Sequence, residues 1–189
     1  MIVRELNEQR RESLLEAFQQ QGKYFVWYYT HKDNLSSIKA LGILSRNEVN
    51  RRGLQPTNHS DTEVQLARQQ GGIHDHVNFY FTAKTTTAFA LLRDYPQYYR
   101  NLKFIRISLK DILMDDSITS FRFTNGNAAS TYTNTYTKAE YIESLPWELI
   151  NEPYRPFSRR EGALRSSEVL IKPHVKFYPN AKEFDPPTF

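Results

Sequence analysis

The chain has 189 residues, no cysteine, and 25 Lys and Arg against 21 Asp and Glu, a formal net charge of +4. That length suits one domain with a sizeable core. The absence of thiols excludes disulfides, thiolate metal sites and cysteine nucleophiles, and no apolar run approaches a membrane span. With 12 Tyr, 12 Phe and 2 Trp inside a hydrophobic fraction of 39%, the expectation is an aromatic-cored α+β protein.

In chain order, Met1-Ile2-Val3 leads into charged residues rather than a signal sequence, so the cytoplasm is the expected compartment. Residues 7–21 predict an amphipathic helix with Leu14, Leu15 and Phe18 on one side and Gly22 as its stop. Residues 24–29 are aromatic almost throughout and predict a central strand. Residues 35–41 predict a short helix closed by Gly42, after which Ile43-Leu44 packs back onto the sheet. Residues 46–59 read as a polar loop. Ser60-Asp61-Thr62-Glu63 has capping-box spacing and opens a helix carrying Val64, Leu66 and Arg68, which Gly71-Gly72 ends.

A strand at 77–81 follows the cluster His74-Asp75-His76, and 86–92 predicts a helix. Residues 103–109 alternate as a strand with one wet face, and 118–123 give another strand before the turn at 124–127. Residues 138–150 read as helical with a break at Pro146. An Arg- and Pro-rich loop then leads into Arg165-Ser166-Ser167-Glu168-Val169-Leu170-Ile171, where Val169-Leu170-Ile171 reads as a buried strand. Residues 175–178 are the last expected strand, and 180–189, with Asp185-Pro186-Pro187, read as a loose tail. With no repeat, linker or boundary, one domain over 1–189 is expected.

Three features invite chemistry. Glu168 opens an apolar strand, where a charge is costly unless compensated. It is either a half-solvated strand mouth or a catalytic carboxylate held rigidly at a cleft edge. Basic residues gather at 46–52, 93–106 and 155–165, the last two with tyrosines within or beside them. Basic plus aromatic is the pairing of a single-stranded nucleic acid surface; the alternative is a solvated face. His74-Asp75-His76, with His at i and i+2, one Asp and no further His or Cys cluster nearby, is a weak metal signal, and a hydrogen-bonded strand entrance is expected instead. Neither a dinucleotide-binding glycine fingerprint nor a P-loop is present. Glu140 and Glu143 lie on a helical stretch and read as solvated.

Taken together, the order of Tyr29-Thr30-His31-Lys32-Asp33-Asn34-Leu35, Gly42-Ile43-Leu44-Ser45, Val64-Gln65-Leu66-Ala67-Arg68 and residues 71–81 is informative. So are Phe123-Thr124-Asn125-Gly126-Asn127-Ala128, Pro146-Trp147 and residues 165–170. This set resembles the DarT-type ADP-ribosyltransferases, which modify nucleobases in DNA using NAD. The resemblance runs over about residues 28–178, with a helix added in front. It implies a single-domain ADP-ribosyltransferase-like α+β fold, two β-sheets packed around an NAD cleft with peripheral helices. It also implies that Glu168 is catalytic and that Arg68 contacts NAD and assists. The family's first strand ends in His-x-Thr at the NAD; the matching positions here read Tyr28-Tyr29-Thr30, a departure.

The implied chemistry is coherent. Cleaving the glycosidic bond of NAD develops positive charge on the ribose, which a neighbouring carboxylate stabilises. Arg68 can grip the dinucleotide through its planar fork, and Tyr28 or Tyr80 offers a ring for nicotinamide. Arg155, Arg159 and Arg160 are the expected nucleic-acid contacts, and no metal is needed. The leading function is NAD-dependent mono-ADP-ribosylation of a base in single-stranded DNA, as the toxin of a toxin–antitoxin or phage-defence pair. Alternatives are the same reaction on RNA and a non-enzymatic nucleic-acid-binding module. A monomer with a cognate antitoxin and no membrane partner is expected. As a charge near the end of a capped helix, Arg68 should contribute only within ~0.5 kcal/mol to folding.

Overall fold

The structure, a computed structural model, describes residues 6–58 and 62–189, with the backbone alone for 62–65. The readings made on Met1-Ile2-Val3 and on the capping box at 60–63 lie outside the described residues. Helix α1 (Glu8–Gln20) precedes strand β1 (Phe25–His31), helix α2 (Leu35–Leu41), strand β2 (Ile43–Leu44) and helices α3 (Arg46–Arg51) and α4 (Thr62–Gln70). Strand β3 (Val77–Tyr80), helices α5 (Thr86–Asp94) and α6 (Pro96–Arg100), strand β4 (Leu102–Ser108) and helix α7 (Leu109–Leu113) follow. Then come β5 (Ser120–Thr124), β6 (Thr135–Tyr136), α8 (Trp147–Asn151), α9 (Arg159–Arg165), β7 (Glu168–Lys172), β8 (His174–Val175) and β9 (Lys182–Phe184).

Seven strands form one antiparallel sheet in the order β6-β5-β7-β3-β1-β4-β9, and β2 with β8 forms a small separate ladder. The α+β expectation holds, but the second sheet is only that two-stranded ladder. Strand β1 pairs with β4 along its whole length, from Phe25↔Ser108 to His31↔Leu102. With β3 it pairs at Trp27↔Tyr80 alone among the described residues. On the Thr30 side of Trp27 no further β1–β3 pair is present among the described residues.

Because side chains alternate along a strand, register assigns each residue to a face. Val26, Phe79, Phe81, Ile105, Ile107, Phe121, Phe123, Val169 and Ile171 occupy one face and form the main core under α1. Phe18 anchors α1 there, with its ring against Phe81, Phe121 and Phe123. Trp27, Tyr29, Tyr80, Phe104 and Glu168 belong to the other face, where Leu102 and Phe104 pack with Ala88 and Tyr99 of α5 and α6.

Buried arginines hold the connections. Arg11 donates to the carbonyls of Leu113 (2.5 Å), Asp115 (2.9 Å) and Ile118 (2.7 Å), fixing α1 to the turn after α7. Arg165 donates to the carbonyls of Lys84 (2.9 Å), Glu152 (3.0 Å) and Leu149, and its guanidinium lies 5.0 Å from the Phe157 ring. It thereby joins the loop after β3 to the C-terminal end of α8. Gly42 has φ +81°, and a Cβ there would meet the Val175 carbonyl oxygen at 2.6 Å. Only glycine lets the chain after α2 approach β8.

Four expectations are corrected. Residues 46–51 are helical rather than loop: the Ser45 hydroxyl caps α3, and Glu48 binds both Arg51 and Arg52. Residues 138–150 are not one helix, because Pro146 and a turn closed by Trp147 Nε1 donating to the Ile142 carbonyl (2.8 Å) divide them. The Arg- and Pro-rich loop contains α9, opened by the Ser158–Glu161 capping box. The 180–189 tail is not loose. Its β9 pairs with β4, the Tyr99 hydroxyl donates to the Pro187 carbonyl (2.7 Å), and Phe189 packs on Phe89, Tyr99 and Tyr154.

One stability prediction follows from Asp115, whose side chain is 7% exposed. Burial pushes its carboxyl up, but hydrogen bonds from Ser117, Lys176 and Tyr178 outweigh burial and hold it at about 2. A depressed folded pKa stabilises above the unfolded value of 3.8 and loses that contribution as pH falls toward 2. Asp115→Asn should therefore lower the melting temperature at pH 7 and flatten its fall between pH 4 and 2. An unchanged acid limb, read by circular dichroism, would contradict the assignment.

Candidate active site

Glu168 is fully buried, with 0% of its side chain exposed, at the first position of β7. Its backbone N–H donates to the Thr124 hydroxyl (2.8 Å), which in turn donates to the Gly126 carbonyl (2.6 Å). These bonds lock the start of β7 to the Asn125-Gly126-Asn127 turn. At Gly126 a Cβ would meet Thr133 Oγ1 at 2.6 Å, so the turn closes only around a residue without one. The next residue but one, Ala128, donates its N–H to Glu168 Oε1 (3.1 Å).

Arg68, in the last turn of α4, reaches the same oxygen, its Nη2 donating to Glu168 Oε1 at 2.6 Å. Its side chain is 11% exposed. Burial opposes the guanidinium's charge, but the Glu168 carboxylate outweighs it and raises the Arg68 pKa above its usual value. Glu168 Oε1 thus takes both donors, while Oε2 is buried and accepts no hydrogen bond among the described residues. The pair is asymmetric: one oxygen is anchored, and the other remains a buried acceptor of the kind that normally finds a donor.

Two tyrosines stand beside the pair. The rings of Tyr29 and Tyr80 stack at 5.6 Å with 7° between planes, and Tyr80 lies opposite Glu168 in register. Burial, followed by the Glu168 charge, pushes Tyr80 up to about 12 against the pull of Arg68. Burial likewise holds Tyr29 well above its usual range. Both phenols are neutral at physiological pH and serve as hydrogen-bonding groups rather than bases.

Residues 27–177 match the family model described as "ssDNA thymidine ADP-ribosyltransferase, DarT". This chain belongs to the DarT family. A curated relative, the DNA ADP-ribosyl transferase–DNA ADP-ribosyl glycohydrolase fusion protein of Thermosipho africanus (strain H17ap60334), is 29% identical over 121 residues. That match takes in 61% of this chain and 30% of the relative, so the chain spans under a third of that protein. Among solved structures, Thermus sp. 2.9 DarT in complex with ADP-ribosylated ssDNA aligns with a TM-score of 0.71 at 18% identity. The same protein in complex with NAD+ aligns at 0.66 and 18% identity, each match covering 82% of this chain and 78% of the other. At that identity the likeness shows the fold, which these DarT structures share.

The DarT-like fold brings Glu168, Arg68, Tyr29 and Tyr80 together. Tyr28 is separated from them: its ring packs on Phe79 on the core face, 5.7 Å away, and its hydroxyl bonds Thr30. Thr30 accepts from Asn34 Nδ2 (3.0 Å). Arg155 is already neutralised by Glu152 (3.2 Å) and Glu161 (3.0 Å), whereas Arg159 and Arg160 are exposed on the first turn of α9. Glu140, the competing carboxylate, is largely exposed beside Lys138 and stands apart from the site. Asp75 is bound by Asn47 and Lys172, and among the described residues no group of three His, Cys, Asp or Glu could hold a metal ion. No helix among them is long and apolar enough to cross a membrane.

Ala128 and Thr124 escaped sequence reasoning as functional groups. The Asn-Gly-Asn-Ala turn was visible, but its service to Glu168 depends on a backbone N–H, which has no residue signature.

Proposed function

We propose that this chain transfers ADP-ribose from NAD to a thymidine base in single-stranded DNA. The observation that carries the reading is the buried Glu168, with Oε1 fixed by Arg68 and Ala128 N–H and Oε2 unbonded among the described residues, within the segment that matches the family. NAD supplies an activated ribose, whose hydroxyls are the donors Oε2 lacks. Glu168 sits where it opposes positive charge growing on that ribose, a role that requires the carboxylate to remain ionised. Arg68 pairs with it and offers further N–H groups to the dinucleotide's phosphates. The stacked Tyr29 and Tyr80 give a flat, neutral wall suited to nicotinamide or to a base. Of the Tyr28-Tyr29-Thr30 segment that corresponds to the family's His-x-Thr, Tyr29 is the residue that stacks on Tyr80 beside Glu168.

We further propose that the protein acts as a monomer in the cytoplasm as a toxin in defence. The name of the curated relative joins the transferase to a glycohydrolase, and such a partner is the antitoxin we infer. The functional test is to incubate the protein with NAD and oligonucleotides of one sequence as DNA and as RNA. A mass gain of one ADP-ribose on the DNA, lost when thymidine is replaced by cytidine, is expected. Equal or greater gain on RNA would move the substrate class.

The exposed Arg159 and Arg160 should bind phosphate. Reversing both to Glu is expected to weaken DNA binding and lower the slope of log K against log salt by about 0.7 per lost phosphate. Arg155→Glu should matter less, because its charge is already answered by two glutamates. An unchanged slope for the double variant would reduce this face to solvated surface.

A further inference from the structure

We propose that the end of the β1, β4 and β9 face around Phe25, Arg106, Phe184 and Lys182 is a second nucleotide-binding surface, taking the single-stranded DNA that flanks the modified base. The inference rests on the reading of single-stranded DNA as substrate. Register draws one row straight across the sheet: Glu168↔Tyr80, Tyr80↔Trp27, Trp27↔Arg106 and Arg106↔Lys182. Directly opposed residues share a face, so all five belong to the Glu168 side. Neighbouring strands lie ~4.8 Å apart, which sets the Arg106 backbone about 14 Å from that of Glu168, three strands away. A single strand covers that span in a few nucleotides.

The far end of the row has the composition of a nucleic-acid platform. The Arg106 guanidinium lies 4.5 Å from the Phe25 ring, 5.1 Å from Phe184 and 5.8 Å from Trp27, and Trp27 meets Phe184 at 5.4 Å. Phe25 is 41% and Phe184 37% exposed. Neither Arg106 nor Lys182 is paired with a carboxylate among the described residues. The nearby acids are taken, Glu183 by Lys39 (2.6 Å) and Asp185 by Lys103 (2.5 Å). The patch is therefore cationic as well as aromatic. Exposed rings stack bases of any identity and the two cations answer phosphate, the combination that binds single strands without reading sequence. A core needs no arginine among rings at an edge strand, and a protein partner would not favour two unpaired cations. Continuity with Glu168 fixes the occupant as the substrate strand.

The test compares a long single-stranded oligonucleotide carrying one central thymidine with the thymidine-centred trinucleotide. The variants are Phe25→Ala/Arg106→Gln and, separately, Lys182→Glu, whose exposed side chain makes no ion pair among the described residues. Binding of the long strand should weaken about tenfold for the double variant, with a salt slope smaller by about 0.7 for each phosphate lost. Lys182→Glu should show the same slope change with a smaller loss. Modification of the trinucleotide and the rise in melting temperature given by NAD should not change. Unaltered affinity for the long strand in both variants would overturn the proposal while leaving the catalytic reading intact. A diminished NAD response would assign the patch to the dinucleotide and also overturn it. If the unaltered protein modifies neither oligonucleotide, the functional reading fails and this surface falls with it.

Discussion

Arg68→Ala is expected to destabilise the protein by about 3–5 kcal/mol, the usual cost of removing one partner of a buried ion pair. That reverses the sequence expectation of a near-neutral change. The reason is geometric: Arg68 is 11% exposed, and its partner Glu168 is fully buried. Without the guanidinium the carboxylate keeps one backbone donor, Ala128 N–H, inside an apolar strand mouth. Glu168→Ala should also destabilise, for the mirror-image reason that it leaves the cation without its anion. The double variant Arg68→Ala/Glu168→Ala should recover much of the loss, because no charge is left buried. Urea melts of the two single variants and the double variant give the coupling directly. Additive effects would show that the two side chains do not depend on each other. Arg68→Lys keeps the charge but not the fork, and should retain most of the stability while losing NAD response.

Glu168→Gln is the variant that separates chemistry from architecture. The amide oxygen can still accept from Arg68 and Ala128 N–H, so the strand mouth keeps its shape. What it loses is the negative charge. Transfer should fall by ~100- to 1,000-fold, equivalent to about 3–4 kcal/mol of transition-state stabilisation. NAD and oligonucleotide binding should persist within a few-fold, because charge matters most where the ribose becomes positive. Glu140→Ala is the companion control. Its side chain is 61% exposed and loosely paired with Lys138, so its loss should leave transfer unchanged. Full activity in Glu168→Gln beside a dead Glu140→Ala would relocate the site.

Much of this was legible in the sequence where a local rule applied. Val169-Leu170-Ile171 read as a buried strand because an apolar run bounded by Pro173 leaves few alternatives, and β7 is that strand. The pairing of Arg68 with Glu168 was not legible from composition or spacing, since 100 residues separate them. Only the family resemblance placed both at one site. In β1 the aromatic residues occupy both faces, so the alternation that would tell Tyr28 from Tyr29 is invisible. The structure turns Tyr28 to the core and Tyr29 to the site. Helix α9 could have been found, because Ser158-Arg159-Arg160-Glu161 carries the capping-box spacing that was recognised elsewhere. The tail misled because Asp185-Pro186-Pro187 signals irregular backbone, which is not the same as loose packing. Phe189 supplies the apolar anchor beyond it.

We propose that the Glu168 carboxylate drives ADP-ribose transfer to DNA. That role is tested most directly by the mass of a single-stranded oligonucleotide carrying one thymidine after incubation with NAD and either the unaltered protein or Glu168→Gln. A gain of one ADP-ribose is expected with the unaltered protein and essentially none with Glu168→Gln over the same time, although both bind the oligonucleotide. Equal gains with the two proteins would contradict it.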